Sequence, residues 1–150
     1  VIVGVTPESA ASVFARVEEL GGGVWVEEQF DGGIEALVGF APSPLGTVLT
    51  VGVGGVLTEV VADVALRVLP VSRDEIDVML DETRLGVMLA GVRGAPEADR
   101  EVLVDVVAQL CDVVDGWPSG FELDLNPVTV LPRGRGVRVL DAAYVAPRGD

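Results

Sequence analysis

The sequence contains no histidine and no lysine, which limits the chemistry that the chain can perform by itself. Its 10 basic residues are all arginine, against 24 aspartate and glutamate residues, and the net charge is −14. Without histidine there is no histidine nucleophile, base or metal ligand, and without lysine the usual single-point phosphate clamp is missing. Any such group must come from outside the chain. The acidic charge also argues against nucleic acid and anionic membrane surfaces as partners.

Cysteine is scarce as well. The single residue Cys111 cannot form a disulfide within the chain, and no signal peptide precedes the first residues, so the cytoplasm is the expected compartment. Cys111 borders an apolar helix stripe and is predicted to be a core residue rather than a nucleophile. The sequence does not begin with methionine, which suggests a fragment, and its 150 residues correspond to one domain or part of one. The uncharged run 36–58 has the length of a membrane span, but its prolines, glycines and β-branched residues predict two buried strands.

Apolar periodicity predicts a mixture of strands and helices. The predicted elements are strands at 1–5, 24–30, 34–41, 46–53, 64–70, 121–126 and 137–145, and helices at 7–20, 73–82, 85–90 and 96–114. Strands 24–30 and 34–41 are predicted to form a hairpin across a glycine turn. Ser72 is predicted to cap the helix that follows it, and Arg67 to pair with an acid such as Asp63.

The stretch 121–142 is predicted to be a hairpin with oxygen ligands on one face. Asp124 and Asn126 alternate with apolar residues on the first arm, and Asp141 is the only acid of the second arm. A two-residue turn at Arg133-Gly134 puts Asn126 directly opposite Asp141, a four-residue loop keeps both on one face, and only an odd loop separates them. Directly opposed Cβ atoms lie about 4.5–5.5 Å apart, so one Mg²⁺ could take oxygens from both arms. On the hairpin alone, a solvated acidic face is the simpler interpretation.

Several motifs in one order resemble the ATP-grasp domain of NDP-forming acyl-CoA synthetases. These are acetate–CoA ligases of the ADP-forming type, related to the succinyl-CoA synthetase beta subunit. The motifs are VWVEEQ ahead of Gly33-Ile34-Glu35, Gly54-Gly55 with Glu59 and Asp63, Gly91-Val92-Arg93-Gly94 with Asp99, and Glu-Leu-Asp-Leu-Asn-Pro at 122–127 with Asp141-Ala142. The resemblance implies an α+β fold, the second lobe of an ATP-grasp fold, with a mixed or antiparallel sheet and flanking helices. Residues 1–30 would be the tail end of the first lobe with the nucleotide hinge strand, and residues 31–150 the C-terminal lobe.

The resemblance also implies roles for individual residues and for the whole enzyme. Implied metal ligands are Asp124, Asn126 and Asp141, implied nucleotide contacts are Glu27, Glu28, Phe30 and Glu35, and implied catalytic contacts are Glu59 and Arg93. The implied cofactors are ATP or ADP and Mg²⁺. The implied reaction interconverts acyl-CoA, ADP and phosphate with a carboxylic acid, CoA and ATP through a phosphohistidine outside this chain. The chain alone is therefore expected to be inactive, and its expected partners are the first lobe and the CoA-binding and phosphohistidine domains.

The sequence departs from the family between residues 41 and 47, where APSPLGT replaces an Asp-Pro-x-Phe-Gly-Pro run. The missing acid and aromatic leave open a non-catalytic copy, namely a regulatory synthetase-like module of a protein acetyltransferase. An interaction scaffold is the remaining alternative. The apolar fraction of 49% predicts exposed apolar surface or an unpaired edge at 1–5 and 46–53, and hence a homodimer at high concentration.

Overall fold

The chain divides into two compact units, Val1–Asp31 and Gly32–Asp150. The computed structural model describes residues 2–55, 63–92 and 94–147 of these units. The predicted catalytic residues Glu59 and Arg93 lie outside the described residues. The assignment of the two units to two ATP-grasp lobes stays a prediction.

The first unit contains the helix α1 over Ala10–Glu18. It begins three residues after the predicted start because Thr6 and Ser9 hydrogen-bond each other in the turn before it, with Thr6 N donating to Ser9 Oγ at 3.0 Å. The predicted strands at 2–5 and 24–30 are wrong, since neither stretch is a strand among the described residues. Trp25 is 88% exposed. Apolar and β-branched residues favour a strand only where a neighbouring strand satisfies the backbone hydrogen bonds.

The second unit is an antiparallel sheet with helices beside it, which confirms the predicted α+β class. Its strands are β1 (Ile34–Ser43), β2 (Gly46–Val53), β3 (Val64–Val68), β4 (Glu122–Val130), β5 (Val137–Val139) and β6 (Ala142–Val145). Its described helices are α2 (Arg73–Asp81), α3 (Arg84–Leu89) and α4 (Arg100–Asp115). The strand order is β3-β2-β1-β4-β5, and β6 also pairs with β4, so that β5 and β6 form one interrupted strand along β4. The predicted hairpin of 24–30 with 34–41 is wrong, because both edges of β1 are occupied by β2 and β4.

The helices and one face of the sheet enclose the hydrophobic core. Its largest fully buried side chains include Phe40, Leu49, Ile76, Met79, Leu80, Leu85, Leu103 and Phe121. On α4 the predicted apolar stripe consists of Leu103, Val107, Leu110 and Val114. All of these are buried except Leu110, which is half-buried. The helix begins at Arg100 rather than at 96 because Ala98 forms a β-bridge with Pro132. Cys111 is 6% exposed, and burial, followed by the charge of Asp112, raises the pKa of its thiol to about 11. The predicted core role of Cys111 is therefore confirmed.

The contacts of the first two core helices confirm one prediction and correct another. Ser72 and Glu75 form a capping box at the start of α2, as the predicted cap requires. Arg67 pairs with Glu82 rather than with Asp63. The carboxylate of Asp63 instead accepts a hydrogen bond from the backbone N–H of Arg84 at 2.7 Å. An acid at the start of a helix is stabilised by the exposed N–H groups there, and this competes with a bond to arginine.

Strands β1 and β2 are joined by a two-residue turn at Pro44-Leu45, with Ser43 paired to Gly46. The divergent 41–47 stretch is thus a tight hairpin turn. Strand β2 pairs with β3 on its other side, so the predicted unpaired edge at 46–53 is wrong. The prediction of buried strands in 36–58 holds as far as Val53, and 56–58 lie outside the described residues. None of the helices in the described part of the chain combines the length and the apolar character that a bilayer crossing needs.

Candidate functional site

The candidate site lies on the face of the sheet that is turned away from the core. On that face Gly39 of β1 is paired with Thr50 of β2 on one side and with Asp124 of β4 on the other. A Cβ atom at Gly39 would lie 3.7 Å from Asp124 Oδ1 and 3.8 Å from Thr50 Cβ. The missing side chain at Gly39 therefore leaves space beside the exposed carboxylate of Asp124.

The β4–β5 hairpin places Asn126 directly opposite Asp141. Its turn has Arg133-Gly134 at the centre and is closed by a hydrogen bond across 132–135, from Arg135 N to Pro132 O at 2.9 Å. The register pairs Val130 with Val137, Val128 with Val139 and Leu125 with Ala142, without a slip. Asn126 N donates to Asp141 O at 3.3 Å. Of the two even loop lengths considered from the sequence, the hairpin has the two-residue turn. Directly opposed residues of antiparallel strands share a face, so Asn126 and Asp141 lie on the same face.

A β-bulge in β4 directs Asn126 away from the core. Between Ala36 and Val38 strand β1 advances by two residues, while its partners Val128 and Leu125 on β4 are three residues apart. The extra residue lies at Asn126-Pro127, and it allows Leu125 and Val128 both to face the core. The side chain of Asn126 is thereby free to contact the end of β2.

That contact is with the glycine turn which follows β2. The backbone N–H of Gly55 donates to Asn126 Oδ1 at 2.8 Å, and Gly54 N donates to Glu35 O at 2.9 Å. Gly55 has a φ of +75°, and a Cβ atom there would overlap Glu35 Oε2. The glycines thus permit the close approach of this turn to β1 and β4. Glu35, a predicted nucleotide contact, lies beside the same turn as Asn126.

The electrostatics of the site are set by two neighbouring acids, Asp124 and Asp141. Burial, followed by the negative charge of Asp141, raises the pKa of the Asp124 carboxyl. Neither acid takes part in an ion pair within the described residues. Asp141 Oδ1 accepts a hydrogen bond from the N–H of Ala142 at 2.8 Å. Like charges that lack a basic partner favour the binding of a cation.

The donor set suits Mg²⁺. Asp124, Asn126 and Asp141 offer two carboxylates and one amide oxygen on one face, all of them hard ligands. Among the described residues no group of three or more histidine, cysteine, aspartate or glutamate side chains could hold a metal ion. The site can therefore supply only a few ligands of its own. This fits an ion that keeps several waters or takes nucleotide phosphates as further ligands.

Three other predicted site residues belong to the first unit. Glu27 and Glu28 are exposed and Phe30 is half-buried in the first unit, in a stretch that is not a strand. The predicted hinge strand is wrong in its secondary structure, while the nucleotide roles of the three residues stay predictions. The roles of Glu59 and Arg93, which lie outside the described residues, also stay predictions.

Two contacts of the site were missed by sequence reasoning. The first is the hydrogen bond from Gly55 to Asn126, for which the Gly54-Gly55 pair beside a strand was the only signal. The second involves Asp99, whose position before α4 suggests a helix cap. It makes no side-chain cap hydrogen bond, and its Oδ2 accepts instead from the N–H of Gly136 at 2.7 Å.

Comparison with known proteins assigns the chain to a family. The family described as ATP-grasp domain matches residues 9–145. Among curated relatives, the 4-hydroxybutyrate–CoA ligase (ADP-forming) of Nitrosopumilus maritimus is 36% identical over 120 residues, covering 79% of this chain and 17% of the relative. The beta subunit of acetate–CoA ligase (ADP-forming) II of Pyrococcus furiosus is 33% identical over 125 residues, covering 82% of this chain and 53% of the subunit.

A solved structure supports the same assignment. The dinucleotide-forming acetyl-coenzyme A synthetase 1 of Ca. Korarchaeum cryptofilum has a TM-score of 0.82 and 28% identity to this chain, covering 95% of this chain and 65% of that one. The chain thus spans from about a sixth to about two thirds of the length of these three proteins. The family match covers more than half of the chain and agrees with the motifs in the sequence. The chain therefore belongs to the ATP-grasp domain family, and its resemblance to the ADP-forming acyl-CoA synthetases is confirmed.

Proposed function

We propose that the chain is the nucleotide- and Mg²⁺-binding C-terminal lobe of an NDP-forming acyl-CoA synthetase. The observation that carries this is the common face of Asp124, Asn126 and Asp141, two acids and an amide with no basic partner among the described residues, in an ATP-grasp domain. The Ca. Korarchaeum cryptofilum synthetase was solved with coenzyme A and Mg-AMPPCP. The relatives described above are named as ligases or synthetases, which favours catalysis over a regulatory module or a scaffold.

The whole enzyme would interconvert acyl-CoA, ADP and phosphate with a carboxylic acid, CoA and ATP. A phosphohistidine would carry the phosphoryl group, and it must lie outside this chain because the chain has no histidine. The partners of the chain are then the first ATP-grasp lobe and the CoA-binding and phosphohistidine domains. The proposed compartment is the cytoplasm. A homodimer also remains part of the proposal, supported by exposed apolar residues such as Leu20 and Leu45.

The residues of this chain would act by binding and orienting. Bound Mg²⁺ supplies neutralisation of the charge on phosphate oxygens during phosphoryl transfer. The carboxylates of Asp124 and Asp141 and the amide oxygen of Asn126 would hold it. Glu35 and Gly55 would fix the orientation of Asn126 through the glycine turn.

The nucleotide would be held by further residues whose roles rest on the family resemblance. Glu28 would contact the ribose, and Glu27 and Phe30 would contact the adenine through their backbone. Glu59 and Arg93 would contact the phosphoryl group in transfer, where a guanidinium fork suits phosphate oxygens. Alanine variants of Glu28, Glu59 and Arg93, assayed for ADP affinity and turnover separately, test the side-chain roles.

Substitution of Asp141 by asparagine in the full-length protein tests the proposed metal role. The change should abolish Mg²⁺-dependent ADP binding in calorimetry and leave the circular dichroism spectrum intact, because an exposed acid contributes little to packing. Asp115→Asn is the matched control: the same chemical change at an exposed acid of α4, on the helical side of the unit. Mg²⁺-dependent ADP binding equal to wild type in Asp141→Asn would contradict the proposal.

Turnover separates the enzyme from its alternatives. The full-length protein should form ATP from acyl-CoA, ADP and phosphate, whereas this chain alone should not. A full-length protein that binds Mg²⁺ and ADP without forming ATP would indicate a regulatory module. Lack of any nucleotide binding would indicate a scaffold.

A further inference from the structure

Asp99 lies immediately before α4, where an aspartate often caps a helix, but its carboxylate is used elsewhere. The residue is 6% exposed, and its Oδ2 accepts a hydrogen bond from the N–H of Gly136 at 2.7 Å. Within the described residues it forms no ion pair. A buried carboxylate without a basic partner depends on such hydrogen bonds, and loss of the acceptor would leave the Gly136 N–H unpaired as well.

The backbone around Asp99 holds the same hairpin turn. Three further contacts attach it: Asp99 N donates to Leu131 O at 2.8 Å, Arg133 N donates to Glu97 O at 2.9 Å, and Ala98 forms a β-bridge with Pro132. The hydrogen bond between Asp99 and Gly136 attaches the β5 side of the turn to the same segment. Both sides of the β4–β5 turn are therefore fixed to the segment before α4, which is itself anchored by the core side of that helix.

The position of this turn decides where Asp141 lies. Strand β5 has only three residues and β6 only four, each too few for its own pairing to specify the register strongly, and both pair with β4 in the register that the turn sets. Residues 140 and 141 lie between β5 and β6, outside both strands. A slip of one residue in the hairpin would move Asp141 to the opposite face of the sheet.

We propose that Asp99 is a positioning residue for the metal site. By holding Gly136 it sets the β4–β5 register, which places Asp141 opposite Asn126. This inference rests on the proposed metal role of Asp141. Asp99 itself contacts neither the metal nor the nucleotide in this assignment, so its effect on binding is indirect.

Paramagnetic broadening of NMR signals by Mn²⁺, used in place of Mg²⁺, tests this inference in the 150-residue chain. Asp99→Ala should weaken Mn²⁺ binding by about 10-fold, the size seen when groups that orient metal ligands are removed. Asp99→Asn should remain close to wild type, because the amide oxygen can still accept from Gly136. Glu97→Gln is the matched control: it removes the ion pair with Arg133 on the same segment and should not change Mn²⁺ binding.

Cross-strand NOEs between Asn126 and Asp141 provide a readout that general destabilisation does not change. They should be lost in Asp99→Ala and kept in Asp99→Asn. Wild-type Mn²⁺ affinity in a folded Asp99→Ala chain overturns the inference. Should that variant not fold, insertion of one glycine between Arg133 and Gly134 replaces it: the insertion should abolish Mn²⁺ binding, and retained binding overturns the inference equally.

The reference variant Asp141→Asn distinguishes failure of the proposed metal site from failure of the proposed positioning role of Asp99. If it binds Mn²⁺ as wild type does, the proposed metal site fails whatever the Asp99 variants show. If it loses Mn²⁺ while Asp99→Ala does not, only the positioning role fails.

Discussion

The side-chain oxygen of Asn126 accepts a hydrogen bond from the backbone N–H of Gly55, 2.8 Å away. This bond joins a proposed metal ligand to the glycine turn after β2. An amide oxygen has two lone pairs, so Asn126 can accept from Gly55 and still offer a lone pair to a cation. The turn also contacts Glu35. The proposed metal site and the end of β2 are therefore connected directly.

Substitution of Asn126 tests that connection. Asn126→Ala leaves the Gly55 N–H without its side-chain acceptor, and a hydrogen bond of this kind contributes about 0.5–1.5 kcal/mol. Exchange of the Gly55 amide proton with solvent should accelerate by roughly 2- to 12-fold. Asn126→Asp, which keeps an acceptor oxygen, should preserve protection. Asp141→Ala removes an acid from the facing strand without touching Gly55, so it should not change this exchange rate. Equal acceleration in both alanine variants would contradict the contact.

Gly55 itself should resist substitution. Gly55→Ala forces alanine into a left-handed conformation, and its Cβ would overlap Glu35 Oε2, the end of an exposed and flexible side chain that can turn away, so we expect a loss of about 1–2 kcal/mol in the free energy of unfolding. Gly134→Ala is the matched control, since Gly134 also has a positive φ, +82°, but open space around it. There we expect about 1 kcal/mol.

A double variant separates strain from overlap at Gly55. In Glu35→Ala/Gly55→Ala the overlap with the carboxylate is absent, and only the backbone strain remains. Its cost relative to Glu35→Ala should therefore fall to that of Gly134→Ala, measured by urea unfolding. Additive effects of the two substitutions would show that the Glu35 side chain moves aside at no cost.

Sequence periodicity predicted the second unit well because its elements carry local signals. The capping box of Ser72 and Glu75, the apolar stripe of α4 and the alternation along β4 are each readable within one turn or one strand. The common face of Asn126 and Asp141 followed from parity, which holds for a two-residue turn and for a four-residue loop, and the structure has the two-residue turn. The family resemblance supplied the roles that geometry alone does not.

The wrong predictions share a physical cause: the sequence does not specify which segments and which side chains pair with each other. The stretch 24–30 has strand-forming residues, but β1 pairs with β2 and β4 instead. Arg67 was predicted to pair with an acid such as Asp63. It binds Glu82 instead, which is more distant along the chain than Asp63. The contact of Asp99 with a turn 37 residues later in the chain had no local signal at all. Pairings between distant segments depend on tertiary packing, which local pattern does not encode.

Cys111 should react slowly with alkylating reagents in the folded chain. The thiolate is the reactive form, and the pKa of about 11 keeps the thiol protonated at pH 8. Labelling by iodoacetamide, followed by mass spectrometry, should proceed only after unfolding in urea. Asp112→Asn lowers the pKa but leaves the larger cause, burial, in place, so it should accelerate labelling only slightly. Rapid labelling of the native wild-type chain would contradict the core role.

The raised pKa of Asp124 predicts how binding at the proposed metal site depends on pH. A folded pKa above the unfolded value means that the native carboxyl retains its proton to higher pH, so the free energy of unfolding falls as pH rises through this window. Protonation competes with a cation. Mn²⁺ affinity should therefore fall with decreasing pH, from a higher pH than an ordinary aspartate would produce.

Asp141→Asn separates the two causes of that shift. The substitution removes the repulsion from Asp141 but not the burial, which is the larger cause. The pKa of Asp124 should fall and yet stay above that of an unperturbed aspartate. Titration of the ¹³C carboxyl signal of Asp124 in wild type and variant measures both steps, with Asp115→Asn as the control that leaves the titration unchanged. An identical Asp124 titration in wild type and Asp141→Asn would show that the two carboxylates do not interact, and a shared cation site on this face would then lose its electrostatic basis.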